Sequence, residues 1–143
     1  MLYNRAIEGK SMNEEIKLLK EKVKHLKVLY VEDEDDMRIG TELFLKKFFT
    51  FVQTAKDGEE GLEKFKSNDF EIIFTDILMP KMNGLEMLDE VGKINDDIFA
   101  AALSASEIYD REIKENTDMH FRKPITYENM FVILKNIVEK FNL

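Results

Sequence analysis

The chain has 143 residues, of which 44% are hydrophobic, and this size predicts one ordinary domain with a buried core. Its formal net charge of -8 argues against a nucleic-acid-binding surface, and its lack of cysteine excludes a disulfide framework and a thiolate metal site. Since no apolar run approaches the roughly 20 residues of a membrane-spanning helix, we expect a cytoplasmic protein without a membrane segment.

Residues 1–26 differ from the rest of the chain, because they carry six Lys or Arg against four Asp or Glu. Ser11 and Glu14 have capping-box spacing, and apolar residues follow at heptad-like intervals: Ile16, Leu19, Val23 and Leu26. We therefore predict an N-terminal extension, residues 1–26, with a helix over about 12–26. Two heptads are too short for an isolated coiled coil, so we favour a helix that lies against its own domain. The alternatives are a dimer seam and the end of a linker from a longer protein.

Residues 27–143 alternate between strand-like and helix-like segments, and we expect them to form the main domain. The predicted strands lie near 27–31, 51–55, 70–75, 98–103 and 119–122. The predicted helices lie near 35–49, 58–67, 84–94, 106–115 and 127–141. Such alternation is typical of the α/β class, in which helices cover both faces of a parallel sheet.

Acidic residues follow two of the predicted strands. The apolar run from Phe70 to Phe74 leads to Asp76, and the run from Val28 to Val31 leads to Glu32 and Asp33. Open α/β sheets bind their ligands beyond the carboxyl ends of the strands. Three carboxylates gathered there would repel one another unless a cation lay between them. This pattern predicts a divalent-cation site.

From about Lys27 to its end, the chain resembles the receiver domains of two-component response regulators. Four motifs carry the resemblance, in the family's order: the acidic pair in Val28–Asp33, the run Asp76–Pro80 followed by Gly84, the hydroxyl in Leu103-Ser104-Ala105, and the basic element Phe121-Arg122-Lys123-Pro124. The resemblance implies a doubly wound, flavodoxin-like fold with five parallel strands in the order 2-1-3-4-5. The N-terminal helix would be an addition to that fold.

The resemblance also implies a Mg²⁺ site. Mg²⁺ prefers oxygen ligands, and Asp33 and Asp76 can supply two carboxylates. The family adds the backbone carbonyl of Leu78 as a third protein ligand. Glu32, where the family often has Asp, would act through a bound water.

Asp76 itself would be the phosphoacceptor, receiving a phosphoryl group from a histidine kinase or a histidine phosphotransfer protein. The charge of the transition state is spread over three oxygens, so positioning and neutralisation provide most of the catalysis. Lys123 would supply positive charge, and Ser104 would donate a hydrogen bond to a phosphoryl oxygen. The resemblance further predicts a cis bond before Pro124, which aims the Lys123 amine inward.

Switching and output are where the sequence departs from the family. His120 occupies the place of the usual Tyr or Phe switch residue, and its ring is smaller than theirs. The stretch from Ser104 to Lys123 is about one helical turn short, so we expect the helix at 106–115 to be short or irregular. The implied surface for an unknown output partner comprises the helix 106–115, the strand 119–122 and the helix 127–141.

Two other functions compete with the phosphoacceptor module. One is a receiver-like scaffold that binds partners without phosphorylation. The other is a Mg²⁺-dependent phosphohydrolase, which commonly has a second acid two residues after its nucleophile to protonate the leaving group. That position is Leu78, so we expect the chain to be a substrate of phosphotransfer and not an enzyme.

Overall fold

The computed structural model describes residues 9–105 and 111–143. Its strands are β1 (Lys27–Val31), β2 (Phe51–Ala55), β3 (Ile72–Asp76), β4 (Phe99–Ser104) and β5 (Met119–Arg122). The helices of the described residues are α1 (Met12–Val23), α2 (Asp35–Leu45), α3 (Gly58–Ser67), α4 (Gly84–Ile94), α5 (Arg111–Asn116) and α6 (Tyr127–Lys140). Among these helices, each is too short or too polar to cross a bilayer.

The five strands form one parallel sheet in the order β2-β1-β3-β4-β5. Every residue of β3 is buried, and so are all residues of β1 except its first. Strands covered by helices on both faces are expected to be apolar in this continuous way. The predicted fold class and strand order are confirmed.

Alternate residues of the strands feed two separate core clusters, because successive side chains of a strand point to opposite faces. On one face Tyr30 and Phe74 pack with the apolar residues of α1, α2 and α6. On the other face Val31 and Ile73 pack with those of α3 and α4. The central strands β1 and β3 are therefore held rigidly from both sides.

The predicted N-terminal helix is confirmed. Its Ser11 hydroxyl caps the first turn by accepting a hydrogen bond from the Glu14 amide at 3.2 Å. All four heptad-like residues, Ile16, Leu19, Val23 and Leu26, are buried, and α1 packs against α6. The helix ends at Val23, three residues before the predicted end at 26.

Several element boundaries differ from the expectations; β4 begins and ends one residue later than predicted, and α6 ends one residue earlier. The helix predicted over 35–49 ends at Leu45, where the Phe48 amide donates to the Leu45 carbonyl three residues back and closes a tight turn. Phe48 is nevertheless buried, so its apolar character extended the helical pattern too far. The strand predicted over 70–75 is β3, which starts at Ile72. Of the helix predicted over 106–115, α5 covers its C-terminal part, and 106–110 lie outside the described residues.

Candidate functional site

Two neighbouring strands deliver acidic residues to one edge of the sheet. β1 and β3 pair in a register that sets Val31 beside Thr75. The residues that follow, Glu32 and Asp76, therefore come level with each other. β1 also pairs with β2 on its other side, so the strand order reverses here, at the type of point where open α/β sheets bind ligands.

The three acids form one cluster. Glu32, Asp33 and Asp76 each offer a carboxylate oxygen, and these oxygens lie within 4.8 Å of one another. Glu32 is 0% exposed and Asp76 is 6% exposed, whereas Asp33 is open to solvent. Buried like charges need a compensating cation, and a donor set made of carboxylate oxygens suits a hard divalent ion such as Mg²⁺. The residues present therefore fit the predicted metal.

Lys123 supplies one positive charge to this cluster. Its Nζ lies 2.9 Å from Glu32 Oε1 and 3.0 Å from Asp76 Oδ2, and the lysine side chain is only 11% exposed. Burial lowers the pKa of Lys123, but the hydrogen bonds and charges of Glu32 and Asp76 outweigh that effect and leave the pKa raised. The amine is therefore a cation at neutral pH, bridging the two buried carboxylates.

The backbone around Lys123 fixes where this amine can reach. Lys123 follows β5, and its amide donates to the Ser104 carbonyl at the end of β4, 2.7 Å away. The Lys123–Pro124 peptide bond is cis, which confirms the geometry that the family resemblance predicted.

The carboxylate of Asp76 is held by donors on both oxygens. The Ile77 amide donates to Oδ1 at 2.7 Å, while Lys123 donates to Oδ2. The Asp76 carbonyl accepts from the Thr75 hydroxyl at 2.8 Å. Such charge-assisted hydrogen bonds orient the side chain at the mouth of the site.

The loop after β3 passes very close to Asp76. A Cβ on Gly84 would lie 2.1 Å from the Asp76 carbonyl oxygen, so only glycine allows this approach. The Gly84 amide donates to the Ile77 carbonyl at 2.8 Å and closes the loop. Leu78 lies inside this loop, and its side chain is 71% exposed.

The other predicted site residues lie on β4 and β5. Ser104 is the half-buried last residue of β4 and is one residue beyond Leu103, the partner of Asp76 in the sheet. His120 pairs with Ala102 in the middle of β5, and its side chain is exposed. The structure therefore brings Glu32, Asp33, Asp76 and Lys123 into one cluster and sets Ser104 on the adjacent strand end. His120 is not part of the acidic cluster.

Sequence reasoning missed two residues that contact Glu32. The Tyr30 hydroxyl donates to Glu32 Oε1 at 3.4 Å, and Arg38 Nη1 donates to the Glu32 backbone carbonyl at 3.1 Å. A signal existed for Tyr30, because it lies two residues before Glu32 in a strand and must share its face. Arg38 carried no such signal, since its role depends on how α2 docks.

Comparisons with known proteins match this chain to one family. The family model described as response regulator receiver domain matches residues 28–135. The regulatory protein VanRB of Enterococcus faecalis is 32% identical over 114 residues, 78% of this chain and 50% of its own length. The response regulator RR06 of Streptococcus pneumoniae is 28% identical over 118 residues, 81% of this chain and 54% of its own length. The chain thus spans about half the length of these curated relatives.

Solved structures agree with this match. A response regulator receiver domain protein from Clostridium thermocellum is 25% identical, with a TM-score of 0.72 over 82% of this chain and 97% of the other. The response regulator protein TrrA from Thermotoga maritima, solved in complex with Mg²⁺-BeF, is 28% identical. Its TM-score is 0.69 over 78% of this chain and 98% of the other.

Proposed function

The chain belongs to the response regulator receiver domain family, and on that basis we propose that Asp76 accepts a phosphoryl group from a histidine kinase or a histidine phosphotransfer protein. One observation carries the proposal. Lys123 Nζ bridges Asp76 and the buried Glu32, beside an acidic cluster that suits a divalent cation. A nucleophilic carboxylate, a fixed cation and a metal-binding donor set are the parts that phosphoryl transfer to an aspartate requires.

In the proposed reaction, a carboxylate oxygen of Asp76 forms a bond to phosphorus while the bond from phosphorus to the donor's histidine nitrogen breaks. The Ile77 amide and Lys123 hold the carboxylate in a fixed orientation for this attack. Lys123 also neutralises charge that develops on the phosphoryl oxygens. Asp33, Asp76 and the backbone carbonyl of Leu78 would hold Mg²⁺, with Glu32 acting through a water. The bound ion would supply further neutralisation of those oxygens.

The modification would then change the charge balance of the site. A phosphoryl group adds a charge of about -1.5 to -2. Lys123 and the Ser104 hydroxyl would turn towards its oxygens, and the Lys123 amide is already tied to the end of β4. We propose that this shift reaches an output partner through the surface of residues 106–115, 119–122 and 127–141. The contribution of His120 would differ from that of an aromatic switch residue, because its side chain is exposed.

The charged residues of the site favour this function over the two competing ones. A scaffold that is never phosphorylated has no need for a buried Glu32 paired with Lys123, which is costly to desolvate. A phosphohydrolase needs a general acid for its leaving group, and Leu78 provides an exposed apolar side chain there. We therefore propose a substrate of phosphotransfer, with residues 27–143 as the receiver domain and residues 1–26 as an extension.

Acetyl phosphate tests the proposal directly. The wild-type chain incubated with acetyl phosphate and Mg²⁺ should gain the mass of one phosphoryl group, and the Asp76→Asn variant should gain none. Asp57→Asn is a matched control, because Asp57 is also a buried aspartate, and asparagine can replace it as the N-cap of α3. Equal modification of the wild type and of Asp76→Asn would contradict the assignment, as would an unchanged rate in EDTA.

A further inference from the structure

Tyr30 is a fully buried phenol, one residue before the end of β1. It shares the face of Glu32, because the two residues are two positions apart along an extended chain. On that face it packs among the apolar residues under α2 and α6. A leucine or phenylalanine would fill such a site equally well, so the hydroxyl calls for a separate explanation.

The hydroxyl of Tyr30 reaches the acidic cluster. It donates to Glu32 Oε1, 3.4 Å away. An ionised carboxylate only accepts hydrogen bonds, so the single phenolic hydrogen goes to Glu32.

The environment keeps Tyr30 a neutral donor. Burial raises the pKa of Tyr30; the nearby Thr41 side chain opposes this rise, but the negative charges of Glu32 and Asp76 reinforce it.

Both oxygens of the Glu32 carboxylate accept hydrogen bonds. Oε1 accepts from Lys123 at 2.9 Å and from Tyr30, while Oε2 accepts from the Glu34 amide at 3.2 Å. Glutamate has one more rotatable bond than aspartate, so a carboxylate in this place needs more restraint to stay fixed. Glu32 holds Lys123, so if the Glu32 carboxylate moved, the Lys123 amine beside Asp76 would move with it.

We propose that Tyr30 is a positioning residue for phosphoryl transfer: its hydroxyl fixes the Glu32 carboxylate, which in turn holds Lys123 Nζ beside Asp76. The inference rests on the proposed phosphoacceptor function and deepens it. Among the described residues the Tyr30 hydroxyl donates to Glu32 and not to Asp33 or Asp76, so in this proposal it acts through Glu32 and Lys123.

The Tyr30→Phe variant removes the hydroxyl and keeps the buried ring. We measure the rate of phosphorylation of the full chain by acetyl phosphate as a function of Mg²⁺ concentration. The limiting rate at saturating Mg²⁺ should fall about five- to tenfold, because a Lys123 charge that is no longer held in place stabilises the transition state less. The half-saturating Mg²⁺ concentration should change less than about twofold, since Asp33 and Asp76 remain. Tyr127→Phe is the matched control, because Tyr127 lies on the outer part of α6 and is partly exposed.

A double variant separates positioning from a merely structural role. If Tyr30 acts through Lys123, adding Tyr30→Phe to Lys123→Met should lower the rate no further. The circular dichroism spectrum should be unchanged in every variant.

The outcomes separate the positioning role of Tyr30 from the phosphoacceptor function of Asp76 on which it rests. A wild-type chain that gains no phosphoryl group would overturn both. If the wild-type chain reacts and the Tyr30→Phe variant has an equal or higher limiting rate, the positioning role alone would be overturned. The same conclusion would follow if Tyr30→Phe slowed Lys123→Met by the same factor as it slows the wild type.

Discussion

Replacement of Lys123 by methionine probes the charge balance of the site most sharply. The substitution keeps a long apolar stem but removes the cation between Glu32 and Asp76, whose carboxylates lie 2.9 and 3.0 Å from Nζ. Breaking a buried ion pair by removing one partner costs roughly 3–5 kcal/mol. The Lys123 side chain keeps 11% exposure, so solvent screens part of the effect and we expect about 3 kcal/mol. For a chain of this length that corresponds to a fall in Tm of about 10 °C.

The assay is urea unfolding of wild type and variant in EDTA. Lys93→Met serves as the control, because Lys93 pairs with Asp89 and Glu90 on the surface, where little change in the urea midpoint is expected. Addition of Mg²⁺ at about ten times its Kd should return about 1.4 kcal/mol, since the ion replaces part of the lost charge. A loss below about 1 kcal/mol in EDTA would refute the reasoning, because it would show that solvent already screens Glu32.

The pH dependence has a definite sign. Burial lowers the pKa of Lys123, but its hydrogen bonds to Glu32 and Asp76 outweigh burial and leave the folded-state pKa raised. A raised pKa means that the stabilisation is complete below the unfolded value of about 10.4 and is lost as pH rises through the folded value. The difference between wild type and Lys123→Met should therefore stay constant from neutral pH to about pH 9 and shrink only at higher pH.

Four further substitutions test the metal site, the loop after β3 and the packing of α1. Asp33→Asn should weaken Mg²⁺ binding by more than about tenfold, measured by calorimetry, because it removes a charged oxygen ligand. Gly84→Ala should destabilise the fold by about 2 kcal/mol in urea, because its Cβ would lie 2.1 Å from the Asp76 carbonyl oxygen. By contrast Gly92→Ala, which meets no atom within 4 Å, should stabilise α4 by roughly 0.5–1 kcal/mol. Leu19→Ala should cost roughly 2–4 kcal/mol, because Leu19 is buried between α1 and the domain.

Each of these has a contrary result. Asp36→Asn alters an exposed acid in the first turn of α2, three residues after Asp33 and outside the cluster, and an equal effect on Mg²⁺ would place the metal elsewhere. If Gly84→Ala and the wild type had the same urea midpoint, the loop after β3 would not pass as close to Asp76 as described. Leu18 is the exposed neighbour of Leu19, so Leu18→Ala should change stability little. Equal effects of the two leucine variants would mean that α1 does not pack as described.

The sheet and the acidic edge could be predicted from the sequence, because both follow from local pattern. A buried strand is a continuous apolar run, and the residue that ends it must lie at the carboxyl edge of a parallel sheet. That rule alone brought Glu32, Asp33 and Asp76 to one edge. The position of Lys123 did not follow from pattern, since the ion pair with Glu32 spans 91 residues of chain. Only the family resemblance indicated it.

The parts that the sequence did not predict depend on tertiary packing. Phe48 continues the apolar periodicity of α2, yet the chain turns at Leu45 to let β2 enter the sheet. In a hydrophobic pattern Tyr30 looks like any other core residue. The role of its hydroxyl depends on neighbours such as Glu32, which only the folded structure shows. Helix ends and buried polar partners are set by neighbours that a one-dimensional pattern does not contain.

A crystal structure of the full chain grown with Mg²⁺ and beryllofluoride would test the central claim most directly. We predict that the beryllofluoride group lies on the carboxylate of Asp76 and that the metal ion lies against Asp33 and Asp76. Lys123 Nζ should lie within hydrogen-bond distance of a fluorine. A metal bound away from Asp33, or beryllofluoride attached to a different side chain, would contradict it.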